Sequence, residues 1–144
     1  MTKILFVCLG NICRSPMAEF VMKDLVKKAG REDEFEIASV ATSDEEEGNP
    51  VHRGTRKKLD EEGIPYTSRY ATVMTKHDYD YYDVIVGMDA NNIRAISRIS
   101  GGDPQNKVRM MIEGRSVADP WWTGDFDATY EDILEGCVKL LKEF

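Results

Sequence analysis

The apolar run Ile4-Leu5-Phe6-Val7 leads directly into Cys8-Leu9-Gly10-Asn11-Ile12-Cys13-Arg14-Ser15-Pro16, and this junction constrains the chain more than any other stretch. A short continuous apolar run marks a strand buried on both faces, and Pro16 suits the first position of a helix. The residues between must therefore join a strand to a helix N-terminus. Backbone N–H groups there lack internal partners, and the macrodipole is positive, so the loop suits an anion. Gly10 and Asn11 are residue types that let it curl until several N–H groups point inward. Arg14 adds a planar fork able to grip two oxygens of a tetrahedral dianion. Cys8 lies at the base of the curl, beside donors and positive charge of the kind that favour thiolate over thiol. A thiolate facing a bound phosphate is a nucleophile for phosphoryl transfer.

The rest of the chain reads as a scaffold for that loop. Met17, Phe20, Val21 and Leu25 recur at helical spacing, with Lys27 and Lys28 in the last turn before Gly30. Residues 35–42 read as a second strand. Asn49-Pro50 is a cap followed by a first-turn proline, which predicts a helix over 51–62 stopped by Gly63. Residues 83–87 form another buried-strand run, and Asp89 caps a helix marked by Ile93, Ile96 and Ile99. After the turn Gly101-Gly102-Asp103-Pro104, residues 108–111 predict a weaker strand. From Asp125 onward, Ile133, Leu134, Cys137, Val138 and Leu141 mark a final amphipathic helix.

Strands alternating with helices require right-handed crossovers and a parallel sheet covered on both faces. Ligands on such sheets bind at the C-terminal ends of the strands, where the Cys8 loop lies. The expectation is one α/β domain over 1–144, a three-layer sandwich around a four-stranded parallel sheet, flavodoxin-like. Residues 66–82 carry no clear period, and Tyr70, Tyr79, Tyr81 and Tyr82 are expected at the surface or between helices.

Composition narrows the function classes. A net charge of −7 argues against nucleic acid, which would call for a basic stripe. Three cysteines, at 8, 13 and 137, make no even framework and no Cys-x-x-Cys pair, and with only His52 and His77 no metal is expected. Met1-Thr2-Lys3 leads straight into the first strand without a leader pattern, and no apolar run reaches bilayer-spanning length. These features predict a cytoplasmic protein that makes no use of a membrane. Asp and Glu cluster at 32–34, 44–47 and 60–62, the ordinary pattern of solvated surface.

A phosphate ester also needs a proton for its departing oxygen. Composition cannot choose among 26 acids, but Asp119 is the best local candidate. It opens the loop Asp119-Pro120-Trp121-Trp122-Thr123-Gly124, which this topology returns to the strand C-termini; Asp-Pro is equally a common turn former. Trp121 and Trp122 either plug the core or wall a slot for a flat ring.

The stretch from Cys8 to Pro16, followed by Met17-Ala18-Glu19, resembles the signature of the low-molecular-weight protein tyrosine phosphatases, bacterial members most of all. Ala41-Thr42-Ser43, Gly48-Asn49-Pro50, Gly63-Ile64-Pro65, Gly87-Met88-Asp89 and the Asp119 loop follow in the family's order, so the resemblance spans the chain. It implies that Cys8 attacks phosphorus to form a phosphocysteine. Arg14 and the N–H groups of Leu9, Gly10, Asn11, Ile12 and Cys13 through Arg14 would hold the phosphoryl oxygens. Asp119 would serve as general acid and then as base. Ser15 would donate to Cys8, with Asn11 and Ser43 in the network supporting the loop. Trp121 and Trp122 stand where the family usually carries tyrosines, and 44–47 would lie near the cleft and could repel acidic peptides. Where the family often has a His and an Ala-Arg-Gln, this chain has Ser68-Arg69-Tyr70-Ala71-Thr72-Val73.

The implied partner is a tyrosine-phosphorylated protein, with phosphate, vanadate or sulfate as loop ligands and no cofactor. Rivals share the loop. Phosphoarginine phosphatases of the family typically carry Thr where Ile12 stands, and arsenate reductases need shuttle cysteines, a role that Cys137 on a core helix fits poorly. Outside enzymes, the rivals are a phosphotyrosine-binding module and a redox sensor in which peroxide joins Cys8 to Cys13.

Overall fold

The computed structural model describes residues 1–144. Four parallel strands form one sheet in the order β2-β1-β3-β4: β1 Thr2–Cys8, β2 Phe35–Ala41, β3 Val84–Gly87 and β4 Val108–Met110. Six helices surround it: α1 Arg14–Lys28, α2 Arg53–Glu61, α3 Lys76–Tyr81, α4 Ala90–Ser100, α5 Pro120–Thr123 and α6 Phe126–Glu143. None is long and apolar enough to cross a membrane.

The twofold period of β1 divides the interior into two cores. Ile4, Phe6 and Cys8 face one core with Met17, Val21, Leu59, Ile133 and Cys137, drawn from α1, α2 and α6. Leu5 and Val7 face the other with Tyr79, Ile85 and Ile96, drawn from α3, β3 and α4. This is the three-layer α/β sandwich expected from the sequence. Because β1 is central and its ladder with β2 runs to Cys8↔Ala41, Cys8 emerges at the C-terminal edge of a strand paired along its length with β2 and from Ile4 to Val7 with β3.

Several boundaries move for identifiable reasons. The first helix starts at Arg14 with Cys13 at its cap, so Pro16 is the third helical residue rather than the first. Its missing N–H is still among the four that a helix start leaves unpaired. The second helix begins at Arg53, not 51. Pro50 forms an isolated bridge with Tyr70, and His52 becomes the cap, its Nδ1 accepting from Gly54 N at 3.0 Å. The strands expected over 35–42, 83–87 and 108–111 are each one residue shorter.

The unreadable segment holds α3, closed by a capping box in which Thr75 Oγ1 accepts from Asp78 N at 3.2 Å and Asp78 Oδ2 accepts from Thr75 N at 2.9 Å. Tyr79 is buried. Its hydroxyl donates to Asp103 Oδ1 at 2.6 Å and accepts from Gln105 N at 2.9 Å, which ties α3 to the turn after α4. Tyr70 is exposed.

Candidate active site

The loop between β1 and α1 is held by its carbonyls. Those of Cys8 and Leu9 accept from Thr42 N and Ser43 N at 3.0 Å each, and that of Ile12 accepts from His52 N at 2.8 Å. Cys13 O accepts from Met17 N at 3.2 Å and from Thr55 Oγ1 at 3.4 Å, and Asn11 O from Arg69 Nη1 at 3.4 Å. In a planar trans peptide each N–H points opposite to the preceding C=O. Carbonyls committed to the surroundings therefore turn the N–H groups of Leu9, Gly10, Ile12, Cys13 and Arg14 toward the inside of the curl. Asn11 N–H is spent on Cys8 Sγ at 3.3 Å, and the curl closes because Asn11 takes a left-handed φ of 57°, which Asn tolerates better than most residues.

A chain of buried side chains sets the direction of the proton that reaches Cys8. Glu19 Oε1 accepts from Ser39 Oγ at 2.6 Å, because a carboxylate has only acceptors. Ser39 Oγ, its proton spent, accepts from Asn11 Nδ2 at 3.0 Å, and the same amide donates to Ser15 Oγ at 2.8 Å. Ser15 is left with its own proton for Cys8 Sγ, 3.0 Å away. Asn11 cannot flip, since its Oδ1 accepts from Arg69 Nη2 at 2.7 Å and from Thr72 N at 3.3 Å. Lys23 and Arg69 flank Glu19 with Nζ and Nε at 2.6 and 3.7 Å from its oxygens. Cys8 Sγ thereby receives two donors, the Ser15 hydroxyl and the Asn11 N–H.

Arg14 is 4% exposed, and its Nη2 lies 2.9 Å from Asp89 Oδ2 and 3.4 Å from Asp119 Oδ2, while Nη1 donates to Val117 O at 3.3 Å. Two carboxylates and a carbonyl thus hold the fork at the mouth of the curl. Asp119 caps α5, its Oδ1 accepting from Trp121 N at 3.1 Å, so Pro120 at the first helical position fixes where the carboxylate points. The His52 ring stacks on Phe126 with centroids 5.5 Å apart and meets Trp121 edge-on at 6.1 Å. Cys8, Leu9, Gly10, Ile12, Cys13, Arg14, Asp119, Trp121 and Trp122 border one cleft of about 290 Å³, joined by Glu45 and Glu46.

Ser43 joins the loop's network through its backbone N–H on Leu9 O, while its hydroxyl accepts from Glu45 N at 3.2 Å; the serine bonded to Asn11 is Ser39. Ser39, Glu19, Arg69 and Asp89 are the residues that sequence reasoning missed. Two had a readable signal. Ser39 shares the buried parity of Phe35 and Ile37 on β2, and Glu19 follows Ser15 by one turn on the buried face of α1; a polar group in either place needs a partner.

Cys13 is buried, and its thiol is pushed up to about 12, by burial first and then by the charges of Cys8 and Asp119. Burial alone raises the Cys137 thiol, whose sulfur faces Ala18 O at 3.7 Å in the core. A bridge from Cys13 to a Cys8 sulfenic acid needs the Cys13 thiolate, and burial, the largest cause of its raised pKa, persists when Cys8 is oxidised, so the rate is expected to rise with pH from 7 to 9. Mass spectrometry after a peroxide pulse measures it. A pH-independent rate, or sulfinic acid without any bridge, would contradict this.

A parallel α/β sandwich whose first strand ends in a curled, N–H-lined loop against a buried arginine belongs to the class that holds a tetrahedral anion at the sheet's C-terminal edge. Comparison with known proteins specifies the class further: the model of the low molecular weight phosphotyrosine protein phosphatase family matches residues 3–144, and the chain belongs to that family. The low molecular weight protein-tyrosine-phosphatase YfkJ of Bacillus subtilis is 37% identical over 147 residues, covering 98% of this chain and 94% of that protein. The crystal structure of SP-PTP, a low molecular weight protein tyrosine phosphatase from Streptococcus pyogenes, superposes with a TM-score of 0.93 at 43% identity, over 100% of this chain and 93% of that one. A drosophila arginine phosphatase, DARP, superposes with a TM-score of 0.89 at 27% identity, covering 99% of this chain and 97% of that one.

Proposed function

We propose that this phosphatase hydrolyses phosphotyrosine in proteins through a phosphocysteine at Cys8. The observation that carries the reading is the convergence of Cys8, Arg14 and Asp119 on one cleft that Ile12, Trp121 and Trp122 line with apolar surface. The Cys8 thiolate attacks phosphorus as the bond to the tyrosine oxygen breaks, and Asp119 gives its proton to the departing phenolate. Arg14 and the inward N–H groups of Leu9 to Arg14, Asn11 excepted, stabilise the charge on the three equatorial oxygens. Asp119, now ionised, takes a proton from water as its oxygen attacks phosphorus. The P–S bond breaks, and inorganic phosphate and the Cys8 thiolate are restored. No step draws on a metal or an organic cofactor. Three free cysteines suit a reducing compartment, which supports a cytoplasmic location.

Ile12 separates this reading from its nearest rival. An apolar β-branched side chain packs on a phenyl ring but gives no partner to the guanidinium nitrogen that carries the phosphoryl group, which lies deeper than the rim carboxylates, and leaving a polar group unpaired there costs on the order of 1–3 kcal/mol. Wild type is therefore expected to favour phosphotyrosine over phosphoarginine by about tenfold to a hundredfold in kcat/KM, equal to roughly 1.4–2.8 kcal/mol. Ile12→Thr, nearly isosteric and carrying a hydroxyl, is expected to narrow the gap. The test is phosphate release from phosphotyrosine, phosphoarginine and phosphoserine peptides, with arsenate reduction run in parallel. A wild-type preference for phosphoarginine, or an unchanged ratio in the variant, would contradict the selector role.

A further inference from the structure

Glu45 and Glu46 border the same cleft as Cys8, Arg14 and Asp119, yet the chemistry above leaves them unused. They stand in the run Asp44-Glu45-Glu46-Glu47, which follows β2 and folds against the phosphate loop. A Cβ placed on Gly10 would lie 3.2 Å from Glu46 Cγ, and Glu46 Oε2 accepts from Asn49 Nδ2 at 2.6 Å. No Lys or Arg nitrogen lies within 4.0 Å of any of the four carboxylates. The other acidic runs differ. Glu34 pairs with Arg31, and Glu61 and Glu62 pair with Lys58. The acidic run without a cation is thus the one at the cleft. Trp122, also on that cleft, is 83% exposed and offers the open face of an indole.

Floor and rim therefore carry opposite charge. Arg14 and the inward N–H groups suit a dianion, whereas Glu45 and Glu46 meet the residues beside it. We infer that the cleft selects phosphotyrosines flanked by Lys or Arg, with Glu45 and Glu46 as countercharges and Trp122 as a face for the cation; the inference rests on the phosphotyrosine reading above. The cleft provides the ligand position, and the glutamates decide which neighbours of the phosphotyrosine it accepts. Charges at a rim act mainly on encounter rate and partner choice, and the chain's net charge of −7 repels acidic peptides from further out.

The test uses three phosphotyrosine peptides of one length, identical except for two residues on each side: lysines, alanines or aspartates. Each kcat/KM is divided by that for phosphotyrosine amide, which has no flanks. Wild type is expected to favour the lysine peptide over the aspartate peptide by about tenfold at low salt, and the preference is expected to shrink as the Debye length falls to about 8 Å at physiological ionic strength. In E45Q/E46Q, where the amide oxygen introduced at position 46 still suits Asn49, the preference is expected to drop below about threefold, and Glu45→Lys is expected to turn it toward the aspartate peptide. A wild type that hydrolyses the amide but treats the three peptides alike, or a double variant with an undiminished preference, overturns this inference alone. Failure to hydrolyse phosphotyrosine amide overturns the phosphotyrosine reading and this inference with it.

Discussion

Cys8→Ser is expected to lower turnover of a phosphotyrosine peptide by a factor on the order of 10⁴ or more, equal to about 5 kcal/mol of lost transition-state stabilisation. Phosphate and vanadate binding should survive. The N–H groups are oriented by carbonyls bonded to Thr42, Ser43, His52, Thr55 and Arg69, and none of those bonds uses the Cys8 sulfur. A serine hydroxyl at that position is uncharged, so the anion still meets the N–H groups and Arg14 while the nucleophile is gone. Steady-state kinetics beside calorimetric vanadate titration separates the two effects. A variant that keeps a tenth of the wild-type rate would remove Cys8 from the nucleophile role, and one that loses vanadate binding would show that the sulfur organises the loop.

The second large effect belongs to Asp119→Asn. Asparagine keeps an oxygen able to cap Trp121 N, so α5 is expected to stay formed, but it has no proton to give. A phenolate with a parent pKa of about 10 depends on that proton, whereas a nitrophenolate leaves nearly unaided. Hydrolysis of phenyl phosphate is therefore expected to fall by about 10² to 10⁴, and that of nitrophenyl phosphate much less. Equal losses on both substrates would take Asp119 out of the acid role.

The split between what sequence revealed and what it hid has a physical pattern. The layer architecture was legible because Ile4 to Val7 on β1 and Val84 to Val86 on β3 are apolar without interruption, and the last helix because its markers Ile133 and Cys137 recur on the buried face. Helix starts were misplaced where a tertiary partner competes with local capping. His52 donates its backbone N–H to Ile12 O and accepts from Gly54 N at its ring Nδ1, and this, with the Pro50–Tyr70 bridge, delays α2 beyond the Asn49-Pro50 signal. The box Thr75-x-x-Asp78 was readable in principle but is followed by tyrosines rather than an aliphatic stripe.

In the site, the loop itself was legible because its chemistry is local. Its supports were not, because Asn11 meets Ser39 28 positions away and Arg69 58 positions away, and Arg14 meets Asp89 75 positions away. Ser43 lies four residues from Ser39 on the same stretch, yet past the end of β2, where its hydroxyl turns to its own loop. Arg69 stands in the segment Ser68 to Val73 that carries no readable period, and it reaches the loop with one guanidinium nitrogen on the Asn11 amide oxygen and the Ser39 carbonyl.

The central claim is that the phosphoryl group passes through Cys8 on its way to water. Rapid acid quench of Asp119→Asn mixed with excess nitrophenyl phosphate, followed by peptide mapping, tests it most directly, because loss of the base slows release of the intermediate more than its formation. The account predicts one phosphoryl group per chain, on the peptide containing Cys8, and a burst of nitrophenol that matches it in amount. Steady nitrophenol release with no burst and no phosphoryl adduct, or an adduct on any residue other than Cys8, would contradict it.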